Sequence, residues 1–121
     1  KDFLQYLKSN NIKIGLATSN SLDLSMAVLK RHCIDSYFDK ILTVNELKVD
    51  KSSPLIYLTI ASSFNLVPSE CLVFEDLLIG IKTAKEAGFI TIGVEDECSL
   101  DKKKEIKNIA SCYIKDFFSC L

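Results

Sequence analysis

The sequence predicts an α/β fold, a parallel sheet with helices on both faces, and three observations carry that prediction. Short apolar runs at residues 12–17, 40–44, 71–75 and 89–94 alternate with segments whose apolar residues recur at helical spacing. Cys71-Leu72-Val73-Phe74 is continuously apolar, as expected of a strand covered on both faces of a parallel sheet. Polar clusters close the runs ending at Ala17 and Phe74, at the carboxyl ends of strands, where doubly wound sheets place their ligands. Alternation at this pitch implies right-handed crossovers between parallel strands.

Each element has its own signals. Phe3, Leu4 and Leu7 repeat at helical spacing, and Asn10 and Asn11 suit the left-handed turn that ends a helix. Residues 12–17 read as a strand running into Thr18, Ser19, Asn20 and Ser21, a cluster that also suits capping of the next helix. Over residues 22–32, Leu22, Met26 and Leu29 share one face, and Lys30, Arg31 and His32 complement the dipole in the last turn. A second strand is expected at 40–44, then a polar, irregular stretch to Ser53. Pro54 suits a first helical turn, and Ile56, Tyr57, Ile60, Ala61 and Phe64 form the apolar face of a helix ending near Asn65. After the strand closed by Glu75 and Asp76, Ile79, Ile81, Ala84 and Ala87 suit a further helix with Gly88 as its stop. A strand at 89–94, a charged helix at 101–109 and a short strand at 112–114 complete the chain.

At 121 residues, 48% hydrophobic and 26% charged, the chain makes one domain at most, with enough length for a core without staples. Fifteen Lys and Arg against sixteen Asp and Glu give a net charge of −1, so no general basic field draws in nucleic acid or an acidic membrane surface. The apolar stretches fall far short of the roughly 20 residues a membrane helix needs. With no secretory leader pattern at the front, cytoplasm is the expected compartment. Cys33, Cys71, Cys98, Cys112 and Cys120 form no C-x-x-C pair or zinc spacing and are expected to be reduced, mostly buried thiols. The first residue is Lys1, not Met, which suggests further sequence upstream.

Three clusters carry candidate chemistry. Glu75 and Asp76 would repel one another at the end of an apolar strand and suit a shared Mg²⁺, which takes one or two protein carboxylates; negative charge at a helix N-terminus also accounts for them. Thr18, Ser19 and Asn20 offer donors for an anion at a helix N-terminus, or serve as caps. Lys51 is a compact charge suited to a phosphoryl group, or a solvated loop lysine. Together, donors, a cation and paired acids on successive strand ends are what phosphoryl transfer requires. His32 is accounted for by its helix C-terminus, and Lys102-Lys103-Lys104 reads as a solvated helix face.

The order I-G-L-A-T-S-N, then K-V-D-K-S-S-P-L-I-Y, then E-C-L-V-F-E-D-L-L-I-G-I-K-T-A-K-E-A-G-F resembles the haloacid dehalogenase (HAD) superfamily, in its phosphatase and β-phosphoglucomutase-like branch. The match runs from Lys1 to about Val94, and the block from Glu70 to Gly88 is its most specific part. The resemblance implies a Rossmann-like core. It assigns phosphoryl binding to Thr18, with Ser19 and Asn20 beside it, makes Lys51 the catalytic and phosphate-binding lysine, and gives Mg²⁺ to Glu75 and Asp76. Two departures stand out. The chain has Asp50-Lys51-Ser52-Ser53-Pro54-Leu55 where family members tend to read G-K-P-x-P-D, and Glu75-Asp76-Leu77 where they read E-D-S.

Family chemistry also implies an N-terminal strand ending in D-x-D, whose first Asp attacks phosphorus and whose second acts as acid and base. No D-x-D-G-T occurs here, and Asp23, Asp35 and Asp39 fall in helix or connector. That strand would lie between those at 12–17 and 71–75, and a cap domain would follow it. Residues 1–121 are therefore expected to be a partial HAD-like core, from its second strand onward and without a cap domain. Unpaired buried backbone groups cost about 1–3 kcal/mol each, so stability and activity are expected to need the upstream segment or a companion chain. The expected function is a share in a Mg²⁺-dependent phosphatase or phosphomutase acting on a small phosphorylated metabolite through an aspartyl-phosphate. A truncated core serving binding or assembly alone is the alternative. A response-regulator receiver fits less well, because its acidic pair lies near the front of the chain.

Overall fold

A computed structural model describes Lys1–Leu121. Its elements are α1 (Asp2–Ser9), β1 (Gly15–Thr18), α2 (Leu22–Arg31), β2 (Lys40–Thr43), α3 (Val44–Leu47), α4 (Leu55–Ser63), β3 (Leu72–Glu75), α5 (Leu78–Glu86), β4 (Ile90–Val94), α6 (Lys103–Ile109) and β5 (Cys112–Ile114). Short 3-10 turns lie at Asp35–Tyr37, Pro68–Glu70, Glu97–Lys102 and Phe117–Cys120. The α/β class and its parallel pairing are as the sequence predicts. The strands form two sheets: β1 runs parallel to β2, and β4 lies between β3 and β5, parallel to both. No ladder joins β1 to β3, so each of these strands keeps one edge unpaired.

Helices tie the sheets together instead. Along β3 successive side chains alternate faces. Glu75 points to the side where Tyr57 of α4 meets it, and Phe74 to the opposite side, where Phe3 of α1 packs edge-on at 5.7 Å between ring centroids. Helix α4 also lies against β1 and β2. The main core, Leu42, Val44, Ile56, Tyr57, Ala61, Ala84 and Phe89, draws on β2, α3, α4, α5 and the residue before β4, and Val73 of β3 packs against it. Gly88 takes φ +95 after α5, a backbone region that glycine enters without steric cost, and so turns the chain into β4. Asn11 and Asn65 hold left-handed conformations after α1 and α4.

Several expectations need correction. The first strand starts at Gly15, since residues 12–14 lie outside the ladder; the second stops at Thr43, because Thr43 and Glu46 form a capping box that starts α3 inside the stretch read as irregular. The helix predicted at 101–109 begins as a 3-10 turn, and its α-helical part covers only Lys103–Ile109. Helix α2 buries Ser25 and Leu29, while Leu22, named for its inner face, is exposed. Strand β3 is not covered throughout: Leu72 is 56% exposed and its register partner Ile90 41%, so one face is open at the amino end. All five cysteines are free, but none is buried. Cys33 sits in a left-handed turn, Cys98 in a 3-10 turn and Cys112 on the open sheet face, all exposed. Lys103 is not simply solvated. It pairs with Glu95 and stands 5.7 Å from the centre of the Tyr113 ring, over which Lys107 also lies, at 5.1 Å.

Asp39, in the connector before β2, links three segments. Its carboxylate accepts from Lys8 Nζ at 2.7 Å and from the backbone N–H of Ile14 at 2.9 Å, with Lys13 Nζ 3.7 Å away. The Lys8 hydrogen bond, then that of Ile14, holds its carboxyl below the usual aspartate value of 3.8. A folded-state value below the unfolded one gives stability that is present above pH 3.8 and is lost as pH falls through the lower folded value. Asp39→Asn is therefore expected to lower the urea midpoint near neutral pH, with the two proteins converging in acid. Equal spacing of the midpoints across that range would refute the linkage.

Candidate active site

The carboxyl ends of β3 and β4 form the rim of a cleft of about 270 Å³ lined by Phe74, Glu75, Asp76, Val94, Glu95, Asp96 and Phe117. Phe117 stacks on Phe3 at 5.5 Å and tilts against Phe74 at 5.5 Å, which makes one wall apolar. The opposite end is acidic. Asp76 forms no ion pair there, and burial first, then the charges of Glu75 and Asp96, hold its carboxyl above the usual aspartate value, with Lys51 opposing them.

Glu75 is differently placed. Its side chain is 4% exposed, and Oε1 receives both the Lys51 ammonium and the Tyr57 hydroxyl, the latter at 2.8 Å. Oε2 lies 3.5 Å from the backbone nitrogen of Leu77, at the start of α5. Burial and the Glu75 charge raise the Tyr57 phenol far above its ordinary value, so it remains a donor. Gly80 makes the arrangement possible, since a Cβ there would stand 2.7 Å from Glu75 Cδ and 2.9 Å from the Tyr57 hydroxyl.

Lys51 reaches this point from the loop between α3 and α4. Asp50, its acidic neighbour, is held in a local turn: its carboxylate accepts from the Ser52 hydroxyl and from the Ser52 backbone N–H at 2.8 Å. Thr18, Ser19 and Asn20 follow β1. Ser21 takes the capping role, accepting from Leu24 N at 3.3 Å, and Thr18 Oγ1 accepts from Asn20 N at 3.1 Å. The Ser19 and Asn20 side chains are exposed and bonded to nothing else in the chain. The structure thus brings Lys51, Glu75 and Asp76 together; no hydrogen bond or ion pair joins Thr18, Ser19 or Asn20 to them.

Two residues of the site were not read from the sequence as functional. Tyr57 was counted as apolar, although a buried tyrosine needs a partner for its hydroxyl. Asp96 follows the carboxyl end of β4, the position at which ligands gather in such sheets.

A doubly wound α/β protein with its polar groups on the carboxyl rim is the class that fold and cleft define. The chain belongs to the haloacid dehalogenase-like hydrolases, whose family profile matches residues 1–94. It is 36% identical over 88 residues to the phosphorylated carbohydrates phosphatase of Thermotoga maritima, covering 73% of this chain and 41% of that protein. Over 88 residues it is 38% identical to the β-phosphoglucomutase of Bacillus subtilis, covering 73% of this chain and 38% of the relative. The solved β-phosphoglucomutase of Clostridium difficile superposes with TM-score 0.82 at 28% identity, over 99% of this chain and 50% of that one. The chain spans about half the length of that structure and less of the two sequence relatives. No helix is long and apolar enough to cross a membrane.

Leu77 is the N-cap of α5 and has no side-chain cap bond. Leu77→Ser supplies a hydroxyl acceptor at an extended N-cap and is expected to raise unfolding stability by about 0.5–1 kcal/mol. An unchanged or lowered denaturation midpoint would contradict this reading of the loop.

Proposed function

We propose that the chain supplies the phosphate seat and metal acids of a phosphatase or phosphomutase acting on a small phosphorylated metabolite. The observation that carries this reading is the pairing of Lys51 with Glu75 at the strand end where Glu75 and Asp76 line one cleft, in a chain whose family relatives include a phosphorylated carbohydrates phosphatase and a β-phosphoglucomutase. The donor set suits Mg²⁺: Asp76 lines the cleft, Glu75 Oε2 has spare acceptor capacity, and this ion needs only one or two protein carboxylates. When bound, the ion would neutralise charge on the phosphoryl group. Lys51 holds a phosphoryl oxygen as a point charge, fixed from behind by Glu75. Thr18, Ser19 and Asn20 donate to the remaining oxygens from the end of β1.

The nucleophile of this reading is an aspartate outside the chain, on a strand that pairs with the open edges of β1 and β3. It attacks phosphorus as the ester P–O bond breaks, giving an aspartyl-phosphate and an alcohol that takes its proton from the second Asp of D-x-D; water or a second hydroxyl then attacks the same phosphorus and releases the aspartate. The reading is supported by the unpaired edges and by α4, which already touches both sheets.

The test is p-nitrophenyl phosphate hydrolysis. Residues 1–121 alone are expected to give none. Protein completed by a D-x-D strand is expected to turn over, to stop when EDTA removes the metal, and to lose about 10²-fold or more in rate with Lys51→Ala. Turnover by residues 1–121 alone, abolished by the same substitution, would overturn the placement of the nucleophile. No turnover by the completed protein would leave a binding or assembly role.

A further inference from the structure

We infer that Tyr57 is a positioning residue, one that holds the Glu75 carboxylate, and through it the Lys51 ammonium, in one place at the carboxyl end of β3. The inference rests on the phosphoryl role proposed for Lys51.

A buried carboxylate rotates toward whatever donors surround it. At Glu75 two donors meet on one oxygen: the Lys51 ammonium from the loop, and the Tyr57 hydroxyl from the core at 2.8 Å. The lysine stem is flexible, but the phenol is not. Tyr57 is 5% exposed, and its ring packs edge-on against Phe89, with centroids 6.1 Å apart and planes at 62°. Both aromatic residues belong to the main core, so the hydroxyl has one available position and fixes Oε1. Gly80 completes the seat by leaving the carboxylate room against α5. Without the hydroxyl, Oε1 keeps only its mobile partner, and the carboxylate can turn toward the Leu77 nitrogen or the cleft. Lys51 would follow it and lose its fixed direction.

Tyr57→Phe removes the hydroxyl and leaves the ring. In the folded protein, the ε-ammonium resonance of Lys51, identified by its disappearance in Lys51→Met, is expected to be visible in proton–nitrogen spectra of the parent and lost to exchange in Tyr57→Phe. Ile106→Val, at a buried position outside the cluster that holds Tyr57, should leave it in place. Inorganic phosphate is expected to bind about tenfold more weakly to Tyr57→Phe than to the parent.

An unchanged ammonium resonance in folded Tyr57→Phe would overturn the positioning role, whatever phosphate does. A resonance lost in Tyr57→Phe, with no Lys51-dependent phosphate binding by the parent, would support the positioning role and defeat the phosphoryl reading. Should Tyr57→Phe not fold, the parent decides: a slowly exchanging Tyr57 hydroxyl proton with a cross-peak to the Lys51 ε-methylene supports the inference, and its absence overturns it.

Discussion

The buried ion pair between Lys51 and Glu75 is the constraint on which the rest of the cleft depends. Glu75 lies at the end of a strand, under α4 and α5, where an isolated carboxylate would be costly to desolvate. It is tolerated because a loop lysine, a core phenol and a space left by glycine converge on it. The same contacts draw the α3–α4 loop onto the second sheet and place a positive charge beside Asp76. The fold thereby gives the two cleft acids at the end of β3 different settings: Glu75 is buried and held by Lys51 and Tyr57, and Asp76 forms no ion pair.

That node also helps to join two sheets that share no ladder. Helix α4 touches β1 and β2 with one part of its surface and Glu75 with another, and α1 reaches Phe74 through Phe3 and Asp39 through Lys8. Side-chain packing and two ion pairs therefore do much of the work that hydrogen bonds perform in a continuous sheet. Unpaired strand edges accept further strands readily, and these edges belong to the strands that carry Thr18 and Glu75.

Much of this was legible in the residues because local signals agreed with tertiary context. The apolar block before Glu75 gave β3, Pro54 gave the start of α4, and Gly88 gave the turn into β4. Other features were hidden for physical reasons. The Thr43–Glu46 capping box was present in the sequence, but a four-residue helix leaves almost no periodicity to detect. In α2, Leu29 lies inward as its spacing predicts, but Leu22, Leu24 and Val28 are exposed and small Ser25 is buried in their place. Tyr57 was taken for its ring and not its hydroxyl, and the cysteines were expected in a core that formed elsewhere. Side-chain polarity buried on an apolar face cannot be placed until its partner is known.

The central claim is that Glu75 and Lys51 act as one unit, and a double-mutant cycle measures this directly. Lys51→Met, Glu75→Gln and the double variant would be compared by urea unfolding. The account predicts a coupling of about 2 kcal/mol or more, because either single change strands a buried partner that the double change removes. Free energies that add to within about 0.5 kcal/mol would show that the two side chains do not depend on one another, and would contradict the account.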